Sequence, residues 1–193
     1  MDATPQTGRG RLLVVSGPGG VGKGTVVAEL AARRPGITVS VSATTRPPRP
    51  GEVDGVHYHF LDDAAFDALV AEGGFLEWAQ FNSRRYGTPW ASVRGPLTAG
   101  RSVVLEIEIR GARQVRERFA DAVLVFLEPP DLDALVARMR GRGADDDHAI
   151  ARRMAIARWE MDQAAGFDHR VVNRDLSEAV EAIGRILDGT ART

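Results

Sequence analysis

Cysteine is absent from the 193 residues. A disulfide scaffold, a thiolate zinc site and a cysteine nucleophile are therefore excluded. Long apolar runs are missing as well. None approaches the roughly 20 residues that a membrane helix needs, so a soluble chain without a membrane partner is expected. A dominant charge is also lacking, since 25 Lys and Arg against 26 Asp and Glu leave a net charge of −1. Proteins that grip nucleic acid through global charge are clearly basic, so nucleic acid is not an expected partner. Aromatic residues are scarce at 6%, with only two tyrosines and three tryptophans. The stretch from Met1 to Arg11 has no apolar core of a secretory signal. Residues 1–10 read as a disordered lead-in, and with the missing cysteine this points to the cytoplasm. What remains is ordinary: 44% apolar and 26% charged residues, a composition that folds. The length suits one compact domain with room for an insertion.

Strand and helix patterns alternate along the chain. Leu12-Leu13-Val14-Val15 is a short apolar run ended by glycine, the pattern of a strand buried on both faces. A glycine-rich turn follows, and then a helical pattern over Thr25–Arg34 stopped by Pro35-Gly36. Val39 and Val41, the run Ser102–Ile107, the run Ala122–Leu127 and Val171-Val172 read as further strands. Helices are expected over Ile109–Phe119, Asp131–Arg140, Asp145–Ala165 and Leu176–Leu187, with Asp131 and Asp145 as N-caps. Repeated strand–helix–strand units imply an α/β fold, a parallel sheet flanked by helices. Residues 43–100 break this rhythm. They open on Arg46-Pro47-Pro48-Arg49-Pro50-Gly51, and hold both tyrosines and two of the three tryptophans. Val56–Phe60 and Phe75–Phe81 read there as antiparallel strands. The organisation expected is a core of 11–42 and 101–193 with a small mixed α/β subdomain inserted at 43–100.

The first strand runs into Gly17-Pro18-Gly19-Gly20-Val21-Gly22-Lys23-Gly24-Thr25 and directly into a helix. Glycine spacing and lysine match the nucleoside-triphosphate P-loop. Glycines let backbone N–H groups turn inward as an anion nest; the helix N-terminus adds partial positive charge, and Lys23 a full one. The pattern departs in one place: Gly24 stands where a Ser or Thr hydroxyl normally helps hold Mg²⁺, with Thr25 one step later. Either Thr25 takes part, or nucleotide phosphates and water hold most of the metal.

The segment Ser42-Ala43-Thr44-Thr45-Arg46-Pro47-Pro48-Arg49-Pro50-Gly51-Glu52, then Asp54-Gly55, Tyr58-His59-Phe60, Phe75–Phe81 with Glu77, and Tyr86-Gly87-Thr88 form one ordered series. In order and spacing it resembles the guanylate kinase family, P-loop nucleoside-monophosphate kinases that phosphorylate GMP with ATP. The resemblance runs from about Leu12 to Leu187. It implies an ATP:GMP phosphotransferase acting with Mg²⁺ and accepting dGMP as well, with the inserted subdomain holding GMP. The protein is then expected as a monomer or homodimer. Arg46 and Arg49 correspond to the phosphate clamp for GMP, with Tyr58 and Tyr86 bonding the same group. Two guanidiniums suit a dianionic phosphate, because each donates a fork of N–H bonds. Glu77 corresponds to the carboxylate that reads guanine, with Ser42 and Thr88 beside it. Guanine offers N1–H and an exocyclic amine to that carboxylate, whereas adenine would face it with a lone pair.

The same resemblance places Arg138, Arg142 and Arg153 in a helical lid over 138–153, as arginines that close on the transferred phosphoryl group. Glu106 falls where a Walker-B-type carboxylate helps hold Mg²⁺ through water, and Glu108 on the GMP side. Asn173 corresponds to a position near the adenine of ATP. The attacking GMP phosphate is already ionised at neutral pH, so no general base is required. Two other readings remain at this stage. One is an inactive guanylate-kinase-like binding module, which should lack Lys23 and the lid arginines. The other is a relative that phosphorylates a sugar phosphate, which should lack the guanine-reading set.

Overall fold

The structure is a computed structural model that describes residues 10–81, 83–140 and 147–190. In chain order its elements are β1 (Leu12–Ser16), α1 (Lys23–Arg33), β2 (Ile37–Val39), β3 (Ala43–Thr44), β4 (His59–Phe60), α2 (Asp63–Ala71), β5 (Phe75–Phe81) and β6 (Arg84–Pro89). They continue with α3 (Ala91–Thr98), β7 (Ser102–Glu106), α4 (Ile109–Arg118), β8 (Val123–Glu128), α5 (Leu132–Arg140), α6 (Asp147–Asp162), β9 (His169–Val172) and α7 (Leu176–Leu187). The larger sheet has the order β2-β7-β1-β8-β9, in which β2–β7, β1–β8 and β8–β9 pair in parallel. A second sheet has the order β4-β3-β6-β5. The expected parallel α/β fold is the one observed. Among the described residues no helix is long and apolar enough to cross a membrane.

By backbone contacts the chain divides into two compact units. One is built from Gly36–Leu105 and Arg110–Ala122 with the described residues up to Leu12; the other from Leu13–Pro35, Glu106–Ile109 and the described residues from Val123 on.

In the first unit the second sheet is closed on one side by α2. Asp62 caps that helix by accepting the N–H of Ala65 at 2.7 Å, which satisfies one of its orphan donors. The helix buries Phe66 completely against Phe75, with ring centroids 4.5 Å apart, and Ala43 completes the cluster. Burying one such ring contributes about 1.5–3 kcal/mol. α4 holds β5 from another direction through backbone bonds. Gln114 donates to the carbonyl of Trp78 at 2.8 Å and accepts its N–H at 3.2 Å, while Arg118 donates to the carbonyls of Phe75 and Leu76. The pairing of β5 with β6 is irregular between Phe75 and Glu77. A bulge frees ladder groups, and Arg118 takes the carbonyls at that place.

The antiparallel strand expected over Val56–Phe60 is corrected. Only His59-Phe60 is a strand, and it pairs in parallel with β3. The preceding chain turns on itself instead, with Gly55 N–H bonding the carbonyl of Tyr58 at 2.8 Å and His57 N–H that of Val53 at 3.0 Å. Val53 and Val56 are exposed. The second strand also ends earlier than expected, at Val39, so Val41 lies outside it.

In the second unit β1, β8 and β9 lie in register, with Leu13 opposite Val123 and Val125 opposite His169. All five residues of β1 are buried, as expected of a strand covered on both faces. α7 turns Ala179, Val180, Ile183, Ile186 and Leu187 inward, a helical stripe. The N-cap expected at Asp131 is present, accepting the N–H of Ala134 at 2.6 Å. The second expected cap, Asp145, lies outside the described residues, and α6 ends at Asp162 rather than Ala165.

Candidate functional site

The second unit carries the phosphate loop. β1 delivers the chain into Gly17–Gly22, and α1 begins at Lys23. Gly17, Gly20 and Gly22 all hold positive φ, which L side chains rarely adopt. Gly22 is the N-cap of α1 and gives it no side-chain hydrogen bond. A glycine at this place leaves the start of α1 open to approach by an anion, which helix N-termini favour. Lys23 Nζ donates to the carbonyls of Gly17 at 2.6 Å and Pro18 at 3.3 Å, so the cation is folded over its own loop.

Three side chains brace this loop. Asn173, buried at the end of β9, donates from Nδ2 to the carbonyl of Val21 at 2.9 Å. Arg138 bonds the same carbonyl through Nη1 at 2.9 Å and the carbonyl of Asn173 through Nη2 at 2.9 Å. Glu160 of α6 accepts the N–H of Gly19 on Oε2 at 3.3 Å. Its buried carboxylate is pushed upward in pKa by desolvation. Lys23 and the Gly19 N–H oppose this shift, and the charge of Glu108 adds to it.

Gly24 has a physical account. A Cβ built there would lie 3.1 Å from Oε2 of Glu106 and 3.4 Å from Oε1. A serine at this place would press on the carboxylate; glycine lets Glu106 stand against the start of α1. Glu106 keeps an exposed surface, yet the protein mass around it raises its pKa, and Lys23 offsets part of that rise. A carboxylate whose charge is disfavoured, beside one lysine and a helix N-terminus, fits a second cation. Thr25 is exposed one turn-step away on α1. Among the described residues no group of three acidic or imidazole side chains could hold a metal alone. Mg²⁺ commonly takes one or two carboxylates and completes its shell from phosphates and water.

The first unit carries the other residue set. Glu77 and Thr88 sit directly opposite each other on β5 and β6. Both are buried, and the Thr88 hydroxyl donates to Glu77 Oε1 at 2.7 Å. Tyr86, two residues before Thr88, shares its face of β6 by the alternation of strand side chains. The glycine between them is demanded by space. A Cβ at Gly87 would lie 2.7 Å from Cβ of Trp78 and 2.8 Å from the carbonyl oxygen of Glu77. Ser42 precedes β3, and its carbonyl accepts the N–H of His59 at 2.8 Å.

Arg46 is held by Glu52 in a two-pronged ion pair, Nη2 to Oε1 at 2.8 Å and Nη1 to Oε2 at 2.9 Å. It lies 5.4 Å from the ring centre of Tyr58 and 5.8 Å from that of Phe60. Bonding to Glu52 first, then the Glu52 charge and Tyr86, raise its pKa. Tyr58 and Tyr86 meet edge to face with centroids 6.2 Å apart. Glu52 also accepts the backbone N–H of Arg49 at 2.7 Å. One carboxylate thus orders both arginine positions.

The Arg46 bond, then the Arg49 backbone bond, lower the Glu52 pKa from 4.5 to about 2. A depressed carboxylate pKa adds stability above the unfolded value and loses it as pH falls toward the folded one. The pair is therefore fully effective above about pH 4.5 and fades toward about pH 2. A carboxyl NMR titration is expected to place the Glu52 midpoint near 2; a midpoint near 4.5 would mean that the pair is open in solution.

Of the residues singled out from sequence, Ser42, Arg46, Arg49, Tyr58, Glu77, Tyr86 and Thr88 fall in the first unit. Gly17–Thr25, Glu106, Glu108, Arg138, Arg153 and Asn173 fall in the second. Glu108, expected on the GMP side, falls by backbone contacts in the second unit. Arg142 lies outside the described residues, as does the rest of 141–146 within the expected lid. Glu52, Gln114, Arg118 and Glu160 were not assigned roles from sequence. The first sits in the quoted series, and the last lies seven residues after Arg153 on one helix, which is the signal that was available.

The comparisons with known proteins agree with one another. The family model described as "Guanylate kinase" matches residues 9–190. A guanylate kinase of Gloeobacter violaceus is 54% identical over 177 residues, covering 92% of this chain and 86% of the relative. One of Thermobifida fusca is 54% identical over 173 residues, covering 90% and 88%. Among solved structures, guanylate kinase from Anaplasma phagocytophilum superposes with a TM-score of 0.77 at 29% identity, covering 97% of this chain and 89% of that one.

Proposed function

The chain belongs to the guanylate kinase family, and from that premise we propose how its own residues carry out the transfer of the γ-phosphoryl group from ATP to GMP. The products are ADP and GDP. The phosphate loop of Gly17–Thr25 holds the ATP phosphates with its amides, the start of α1 and Lys23. To do so, Lys23 exchanges the carbonyls of Gly17 and Pro18 for phosphate oxygens. The glycine-rich turn at positive φ between β1 and α1, with Lys23 folded over it, is the observation that best supports this reading.

GMP is held by the first unit. Glu77, oriented by the Thr88 hydroxyl, accepts from guanine N1–H and the exocyclic amine, with Ser42 alongside. Arg46 and Arg49, with Tyr58 and Tyr86, take the phosphate. Arg46 arrives there pre-ordered by Glu52 and by two aromatic rings, so little side-chain freedom is lost on binding. In the transfer, a GMP phosphate oxygen forms a bond to the γ-phosphorus as the bond to the β–γ bridging oxygen breaks. The electron pair leaves with ADP, and no proton need be removed from the nucleophile. Arg142 and Arg153 stabilise the charge on the moving group. Arg138 and Asn173 support the loop through Val21, and Asn173 stands near the adenine. Glu106 and Thr25 would hold Mg²⁺, in part through water, and Glu108 lies within the same charged set. Bound Mg²⁺ supplies charge neutralisation on the triphosphate.

A coupled ADP-release assay with GMP, AMP, CMP and UMP tests the whole reading. Turnover is expected with GMP and at least about a hundredfold less with AMP, since a buried acceptor facing a lone pair discriminates strongly. Comparable rates with AMP or a pyrimidine would contradict it.

A further inference from the structure

Arg153 and Glu160 lie seven residues apart on α6. Two helical turns bring them to within about 20° around the axis and about 10 Å along it. Their stripe runs beside Ile150, Met154 and Ala157, which pack with Leu135 and Met139 of α5. The helix is thus fixed by an apolar face, and the adjoining stripe carries charge.

Glu160 is only 9% exposed. Burying a carboxylate is costly unless it is bonded, and among the described residues it accepts the backbone N–H of Gly19 at 3.3 Å. That amide belongs to the outer arm of the phosphate loop, between Gly17 and Gly20, both at positive φ. Glycine-rich backbone loses the most freedom on ordering, so a tether at this point acts where it has most effect. The nearby charges are Lys23, which attracts the carboxylate, and Glu108, which repels it.

We propose that Glu160 is a positioning residue that ties the outer arm of the phosphate loop to α6, so that the loop and the helix bearing Arg153 keep one spacing around the ATP phosphates. Glu160 does not touch the reacting atoms. Its hydrogen bond to Gly19 sets where the loop amides stand relative to the arginine two turns back on the same helix. The proposal rests on the reading of Lys23 and Arg153 as groups that bind the ATP phosphates.

Two conservative variants separate reach from charge. Glu160→Gln keeps an acceptor at the same distance and loses the charge; Glu160→Asp keeps the charge and falls one methylene short of Gly19. In the ADP-release assay of the full chain, Glu160→Asp is expected to raise the KM for ATP about tenfold and lower kcat, the effect of losing one charged hydrogen bond. Its KM for GMP is expected to stay unchanged. Glu160→Gln is expected to remain within about threefold of the parent in every constant. The reverse ranking would overturn the tether in favour of a charge effect. Unchanged kinetics in Glu160→Asp would also overturn it, as would equal rises in both KM values. Lys23→Ala measured alongside separates the two levels. If it retains turnover, the phosphate-loop reading fails; if it is inactive while Glu160→Asp is normal, only the tether fails.

Discussion

Lys23→Ala is expected to slow phosphoryl transfer by roughly 10²–10³-fold, the loss seen when one preorganised charge-stabilising donor is removed from an active site. The cation sits in a loop whose Gly17, Gly20 and Gly22 hold positive φ. Within that loop it bonds the carbonyls of Gly17 and Pro18, and it is the counter-charge for both Glu106 and Glu160. Its removal leaves two crowded carboxylates facing an incoming triphosphate without compensation, so the affinity for ATP falls as well as the rate. GMP binding draws on other residues, none of them in the loop, and its dissociation constant should change little. Single-turnover kinetics and a GMP titration read these two quantities separately. A Lys23→Ala protein within threefold of the parent rate would show that the loop amides suffice and that the lysine is structural.

Glu77→Gln is expected to cut kcat/KM for GMP by about 10- to 100-fold, the worth of one charged hydrogen bond, and to raise the relative rate with AMP. The substitution is nearly isosteric, so the buried pair with Thr88 can persist, which protects the fold. What changes is the side facing the base. An amide brings N–H groups where guanine also presents donors, and it no longer opposes the lone pair of adenine N1. Selectivity should therefore fall by more than turnover does, and competition between GMP and AMP in one reaction measures it. Unchanged preference would remove Glu77 from base recognition.

How far the sequence could be read depended on whether a feature was local. β1, the loop and α1 were legible because a buried apolar run, a series of glycines and a lysine state one arrangement within a short span. The Tyr86-Gly87-Thr88 segment was legible as part of an ordered series. The reason for its glycine was not, because the crowding atoms come from Glu77, Trp78 and Phe75 across the ladder. Gly24 looked like a departure from the loop pattern until the carboxylate of Glu106, from a strand about 80 residues away in sequence, was seen to fill the space beside it. Val56–Phe60 reads as a strand from its residue types alone, whereas its backbone bonds make a turn. Gly55 and the backbone bonds of Val53 fold that stretch tightly and leave Val56 outside. Glu160 and Gln114 escaped notice for one shared reason: each bonds backbone, and backbone partners leave no trace in side-chain patterns.

The two rival readings meet the same residues. An inactive module has no use for a glycine-rich loop at positive φ with Lys23 folded over it. A sugar-phosphate kinase has none for a buried Glu77 oriented by Thr88.

The most direct measurement is calorimetric titration of ADP and of GMP into the parent, Lys23→Ala and Glu77→Gln. ADP affinity should fall in the lysine variant alone, and GMP affinity in the glutamate variant alone. If either substitution weakened both ligands equally, or neither, the division of labour between the loop and the guanine pocket would be wrong.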